Sequence, residues 1–145
     1  MKRILVLAAP VLLISASFAQ AQTTITLPQA QYYVSTWYQQ FLKRLPDPGA
    51  AGWVLALVNG QPAGYILADI LSSSEYFTRA GGTNAGFVSQ LYQDQLGRAP
   101  TVVELIFWTN LLQRSSRRTI AYQFLVSQGN IALISPQQAR RRHRH

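Results

Sequence analysis

Five carboxylates, thirteen lysines and arginines, two histidines and no cysteine are all that this 145-residue chain offers for acid–base, nucleophilic or metal chemistry. Glycan hydrolysis, one reaction that paired carboxyl groups serve, needs two of them facing each other across one bond. Asp47, Asp94 and Glu104 are the candidates. Two of these have another task, because Asp47 precedes Pro48 and Glu104 follows three residues after Thr101, positions from which carboxylates cap helices. No catalytic residue is assigned, and the chain is not expected to be an enzyme. The lack of cysteine removes disulfides, thiolate nucleophiles and Cys-ligated zinc together. A calcium loop at Asp47 would find no second carboxylate in Pro48-Gly49-Ala50-Ala51. His143 and His145 sit among arginines at the chain end, without the fixed neighbour that an oriented base needs. Neither a metal nor a cofactor is expected.

The arginines point to a different chemistry, contact with anions. The formal net charge is +8, and much of the excess lies in the last six residues, where Arg140, Arg141, Arg142 and Arg144 are unrelieved by any acid. Such a block repels itself, stays disordered and is drawn to polyanions. Arg114, Arg117 and Arg118 form a second cluster at the opening of the last long helix, where cations oppose the helix dipole. An anionic envelope glycan, lipid or protein is the expected partner, met through these seven arginines. Nucleic acid would suit the charge but not an exported protein. A structural subunit that associates through exposed aromatics is the alternative reading.

Export is read from the other end. Lys2-Arg3, an apolar run from Ile4 to Ile14, and Ala19-Gln20-Ala21 have the order of a secretory signal, placing the first domain boundary after residue 21. Pro10, Ser15 and Ser17 leave the run short of the roughly 20 apolar residues that span a bilayer. A bacterial protein of the periplasm or the medium, not transmembrane once the signal is cleaved, is the expectation. Residues 22–136 would form one helical domain, and 137–145 its basic tail.

Within that domain the sequence says nearly the same thing twice. Leu42, Arg44 and Pro46 are answered by Leu96, Arg98 and Pro100 at an offset of 54 positions (98 − 44), and Tyr33-Val34 and Trp37-Tyr38 by Phe87-Val88 and Leu91-Tyr92. Trp53 is answered by Trp108, one residue out of step. A duplication favours a repeated packing unit over a single active site. Apolar residues at three-and-four spacing make each half helical, with little period-two alternation, so a compact all-α domain of about six to eight helices is expected. Repeat one would run over about 28–80 and repeat two over about 84–135. Asp47 and Thr101 are read as caps, Thr101 with Glu104 as a capping box, and Ser74 as the cap of a short helix at Glu75-Tyr76-Phe77. Thr23 to Leu27 is the one candidate strand, and Ile131-Ala132-Leu133-Ile134 a packing closure. Arg44 and Arg98 are read as structural, forking onto carbonyls or a carboxylate beside their turns.

The order Phe87-Val88, Leu91-Tyr92, Leu96-Gly97-Arg98-x-Pro100, Trp108 and Ser127 resembles domain of unknown function 4214, a helical repeat module of exported bacterial proteins. The first half resembles it through Tyr33-Val34, Tyr38, Leu42, Arg44, Pro46-Asp47, Gly52-Trp53 and Ser74-Glu75-Tyr76, so two tandem copies would cover nearly all of residues 30–128. Trp37, Arg44, Pro46, Asp47, Trp53, Tyr92, Gly97, Arg98, Pro100, Thr101, Glu104 and Trp108 would then be the structural residues of the motif. Lys43 stands where the glycine of Leu-Gly-Arg is usual, and Thr101 where an aspartate is. The resemblance implies an architecture and brings no activity with it.

Overall fold

The structure is a computed structural model that describes residues 24–129. Every regular element among them is helical. In chain order these are α1 (Leu27–Trp37), which continues as a π-helical turn over Tyr38–Leu42, a 3-10 turn (Pro48–Ala50) leading into α2 (Ala51–Val58), α3 (Ala63–Leu71), α4 (Ser74–Arg79), α5 (Asn84–Leu96), α6 (Val102–Leu112) and α7 (Arg117–Ser127). The expected signal, the Ile131–Ile134 closure and the basic tail lie outside the described residues.

The helix starts follow from short polar side chains. Thr101 accepts from the Glu104 N–H while the Glu104 carboxylate accepts from the Thr101 N–H at 2.8 Å, the reciprocal box that the sequence implies. Thr83 and Ser116 cap α5 and α7 in the same manner with one bond each. Three expectations need correction. Among the described residues no strand forms ahead of Leu27, because Thr26 and Gln29 build a capping box that commits the segment to α1. The short helix is capped by Ser73, one residue before Ser74, and runs on to Arg79. Asp47 occupies the cap position before Pro48 but makes no side-chain cap bond; its carboxylate is drawn instead to Arg44, 3.0 Å away.

Both aromatic helices close on a left-handed residue, Gly97 with φ 68° and Lys43 with φ 56°. The Gly97 N–H reaches the Gln93 carbonyl, as an α-helical C-cap does, whereas the Lys43 N–H reaches one residue further back, to Tyr38. The first half thus ends in a wider turn around the same sharp stop.

The helices pack as α1 on α2, α5 on α6 and, most extensively, α3 on α7. Tyr65 stacks on Tyr122 with ring centroids 4.5 Å apart, and Asp69 pairs with Arg118, so residue numbers rise along α3 as they fall along α7. The two helices are antiparallel, and Ala68 and Ala121, both wholly buried, supply small side chains to the core there. Around them lie Leu71, Tyr76, Phe87, Leu91, Ile120, Phe124 and Leu125, all with almost no exposure. Phe124 meets Tyr92 at 4.9 Å and Trp108 at 5.4 Å, edge to face, and the Trp108 indole N–H donates to the Tyr92 hydroxyl at 3.0 Å. Each such side chain contributes about 1.5–3 kcal/mol by leaving water.

Candidate functional site

The two motif arginines are held by carboxylates. Arg44 approaches Glu75 side-on, through Nε to Oε1 at 2.7 Å and Nη2 to Oε2 at 2.9 Å, and its guanidinium lies over the Tyr38 ring. Arg98 approaches Glu104 end-on, through Nη1 and Nη2 at 2.9 Å each, and lies over the Tyr92 ring. Each also donates to the carbonyl of the next residue, Leu45 or Ala99. The hydrogen bond from Arg98, with the Thr101 N–H, holds the Glu104 carboxyl down at about 2, and the bond from Arg44 holds Glu75 below the ordinary carboxylate value. Both pairs brace a turn by bidentate bonds.

The remaining acids are engaged too. Asp94 accepts from the Tyr76 hydroxyl at 2.8 Å and from the Gln90 amide at 2.9 Å, and burial beside that carboxylate pushes the Tyr76 phenol well above its usual range. Asp69 accepts from Arg118 and Asp47 from Arg44. All five carboxylates of the chain therefore have structural partners. Among the described residues no three acids or histidines come together as metal ligands.

The arginine cluster at the start of α7 is arranged differently. Ser116 caps the helix, Arg117 and Arg118 are its first two residues, and Arg114 is exposed in the turn before it. Arg118, besides its bond to Asp69, lies over Tyr65. Arg117 lies 4.1 Å above the Phe77 ring, and its Nε is buried with no hydrogen-bond partner among the described residues. Arg117 and Arg118 line an open cleft of about 440 Å³ with Ser72, Asn84, Leu112, Ser115 and Ser116. The two arginines and the serine and asparagine side chains of this mixed lining are of the types that bind anionic oxygens. Of the seven arginines expected to meet an anion, the structure brings Arg117 and Arg118 to this cleft and leaves Arg114 out of its lining; Arg140, Arg141, Arg142 and Arg144, like His143 and His145, lie outside the described residues.

The pairing of Arg118 with Asp69, 49 positions apart, was not readable from local sequence, since it depends on how α3 meets α7. Tyr65 and Tyr122 were hidden for the same reason. One further feature had a visible signal: α6 is apolar on every side, and Val102, Val103, Ile106 and Phe107 are exposed along it.

The comparison with protein families matches residues 67–134 to a domain of unknown function, DUF4214. The matched stretch starts inside α3 and runs past α7, so it contains contacts from both partners of the antiparallel pair. Neither the curated proteins nor the solved structures give a match.

Proposed function

We propose that this protein is an exported, non-enzymatic helical module of the bacterial cell envelope, a binding or scaffolding unit that meets anionic material through arginine. The observation that carries this reading is the division of labour among its charges. Every carboxylate is engaged in bracing a turn or joining helices, which leaves no pair free to work across a bond. Arg114 and Arg117, by contrast, have no carboxylate partner among the described residues, and the tail adds Arg140, Arg141, Arg142 and Arg144. The folded part presents a cation-lined cleft, and the tail adds a tether of the same sign. The signal-like start supports an address in the periplasm or the medium.

The same reading takes residues 28–80 and 84–135 as two copies of one module. Lys43 and Gly97 close their helices in the same left-handed conformation, and Arg44 over Tyr38 matches Arg98 over Tyr92, all at the 54-residue offset. The family match overlaps the second copy and α3–α4 of the first.

The test is binding of the chain to an anionic polymer, polyphosphate, at 50 mM and 500 mM salt, beside a variant with Arg140, Arg141, Arg142 and Arg144 changed to glutamine. With four cations lost, the low-salt affinity of the variant is expected to fall by about tenfold or more and its salt dependence to flatten. Equal binding by both proteins would exclude the tail as the contact.

A further inference from the structure

The first two turns of α6 carry large apolar side chains that stay largely outside the packing of the described residues, although the Phe107 ring meets Trp108 at 5.1 Å. Around the helix, Glu104, Leu105, Trp108, Leu111 and Leu112 turn toward the protein, while Val102, Val103, Ile106 and Phe107 fall on the opposite side, exposed by 74%, 76%, 53% and 55%. Aligning Trp53 with Trp108 places Asp47, Pro48, Ala51 and Gly52 at the four matching positions of the first half. None of those is a large apolar residue, yet α2 packs on α1 as α6 packs on α5. The helix pair forms without such a face, so its presence on α6 calls for a contact beyond the core that the described residues build.

Charge identifies the occupant. No acidic side chain lies on the outer side of α6: Glu104, its one carboxylate, is held by Arg98, and the exposed side ends in Asn110 and, past the helix, Arg114. A second copy seated on this face would bring together two chains that, without Lys2 and Arg3 of the signal-like start, each keep a net charge of +6 (13 − 2 − 5). An anionic bilayer surface offers apolar depth and opposite charge at once. Among the described residues no helix is long and apolar enough to cross a membrane. Resting on the envelope reading above, we infer that α6 lies on anionic lipid with Val102, Val103, Ile106 and Phe107 in the headgroup–acyl boundary, while the arginine tail adds the electrostatic attraction. One apolar face or one basic segment alone gives weak, reversible attachment, and two together hold.

The experiment is co-sedimentation of residues 22–145, the chain without its signal-like start, with vesicles of phosphatidylglycerol or of phosphatidylcholine, at 50 mM and 1 M salt. The variant V103Q/F107Q keeps the net charge and changes only exposed positions, so it removes the apolar term and leaves the electrostatic one. Wild type is expected on phosphatidylglycerol vesicles at both salts. The variant is expected to bind at least about tenfold more weakly than wild type at 50 mM, and to be lost from the vesicles at 1 M, where charge is screened within about 3 Å. Equal retention of both proteins at 1 M salt would overturn the lipid-facing role of α6 while leaving the tail reading intact. Failure of wild type to sediment with either vesicle would also overturn it, and the polyphosphate measurement would then decide the tail reading separately. Sedimentation velocity without lipid completes the test: a wild-type dimer that V103Q/F107Q turns to monomer would assign the face to a second copy and overturn the membrane assignment.

Discussion

Glu104 does two things with one carboxylate: it closes the capping box of α6 and receives the fork of Arg98. Its carboxyl is therefore held at about 2 against an ordinary 4.5. A depressed folded-state value means stability that is complete above about 4.5 and is lost as pH falls toward 2. Glu104→Gln keeps a capping-box side chain and removes the charge, so the gap in urea midpoint between wild type and variant should be open at pH 7 and close on descending through that window; a gap constant with pH would refute the assignment. At Tyr76 the prediction is about bonding. The hydroxyl of this buried ring gives Asp94 one of its two donors, so Tyr76→Phe should lower stability by about 1–2 kcal/mol, read by denaturant titration. At this scale the sequence shows one side of each pair well. The motif arginines are conspicuous by repetition, and Glu104 by its distance from Thr101. Glu75, 31 positions from Arg44, and Asp69, 49 from Arg118, become partners only when helices meet, which no local spacing announces.

For the elements, the Pro turns and the Thr101 box were legible because each depends on a few neighbouring residues. Thr26 misled, since a short β-branched run reads as strand until Gln29 is recognised as its capping partner. The left-handed stops separate the two halves by a testable energy. Lys43 adopts a conformation that costs a residue with a Cβ roughly 1–2 kcal/mol, where Gly97 adopts it freely. Lys43→Gly should therefore raise stability by about 0.5–1 kcal/mol after the extra backbone entropy of glycine, and Gly97→Ala should lower it by about 1 kcal/mol; differential scanning calorimetry on both reads the opposite signs. Gly86 is a stricter case. A Cβ there would stand 2.1 Å from the Ala80 carbonyl oxygen, backbone that cannot turn aside, because the Gly81-Gly82 link folds back onto the first turn of α5. Its counterpart 54 positions earlier is Tyr32, so the repeat pattern gave no warning of the need for glycine.

Across the whole molecule, the antiparallel pair of α3 and α7 decides how the halves depend on each other. α3 belongs to the first half and α7 to the second, and their contact is more extensive than that of α1 with α2 or α5 with α6. The sequence showed two similar halves, but similarity alone fits beads on a string as well as one shared core. What separates the two is the burial of Ile66, Leu67 and Ile70 on one side and Ile120, Ala121 and Phe124 on the other, faces that neither half could leave in water. Opening either half exposes the other's share of that interface, so the chain should unfold as one unit. Native-state hydrogen exchange tests this: the slowest amides of α1, α3, α5 and α7 should share one opening free energy, equal to that from denaturant unfolding. Ala121→Leu, which forces a larger side chain into a fully buried position on α7, should lower that common value by about 1–3 kcal/mol in all four helices. A loss confined to α5–α7, with α1 and α2 unchanged, would show two independent units and would remove the shared core as the reason the halves occur together.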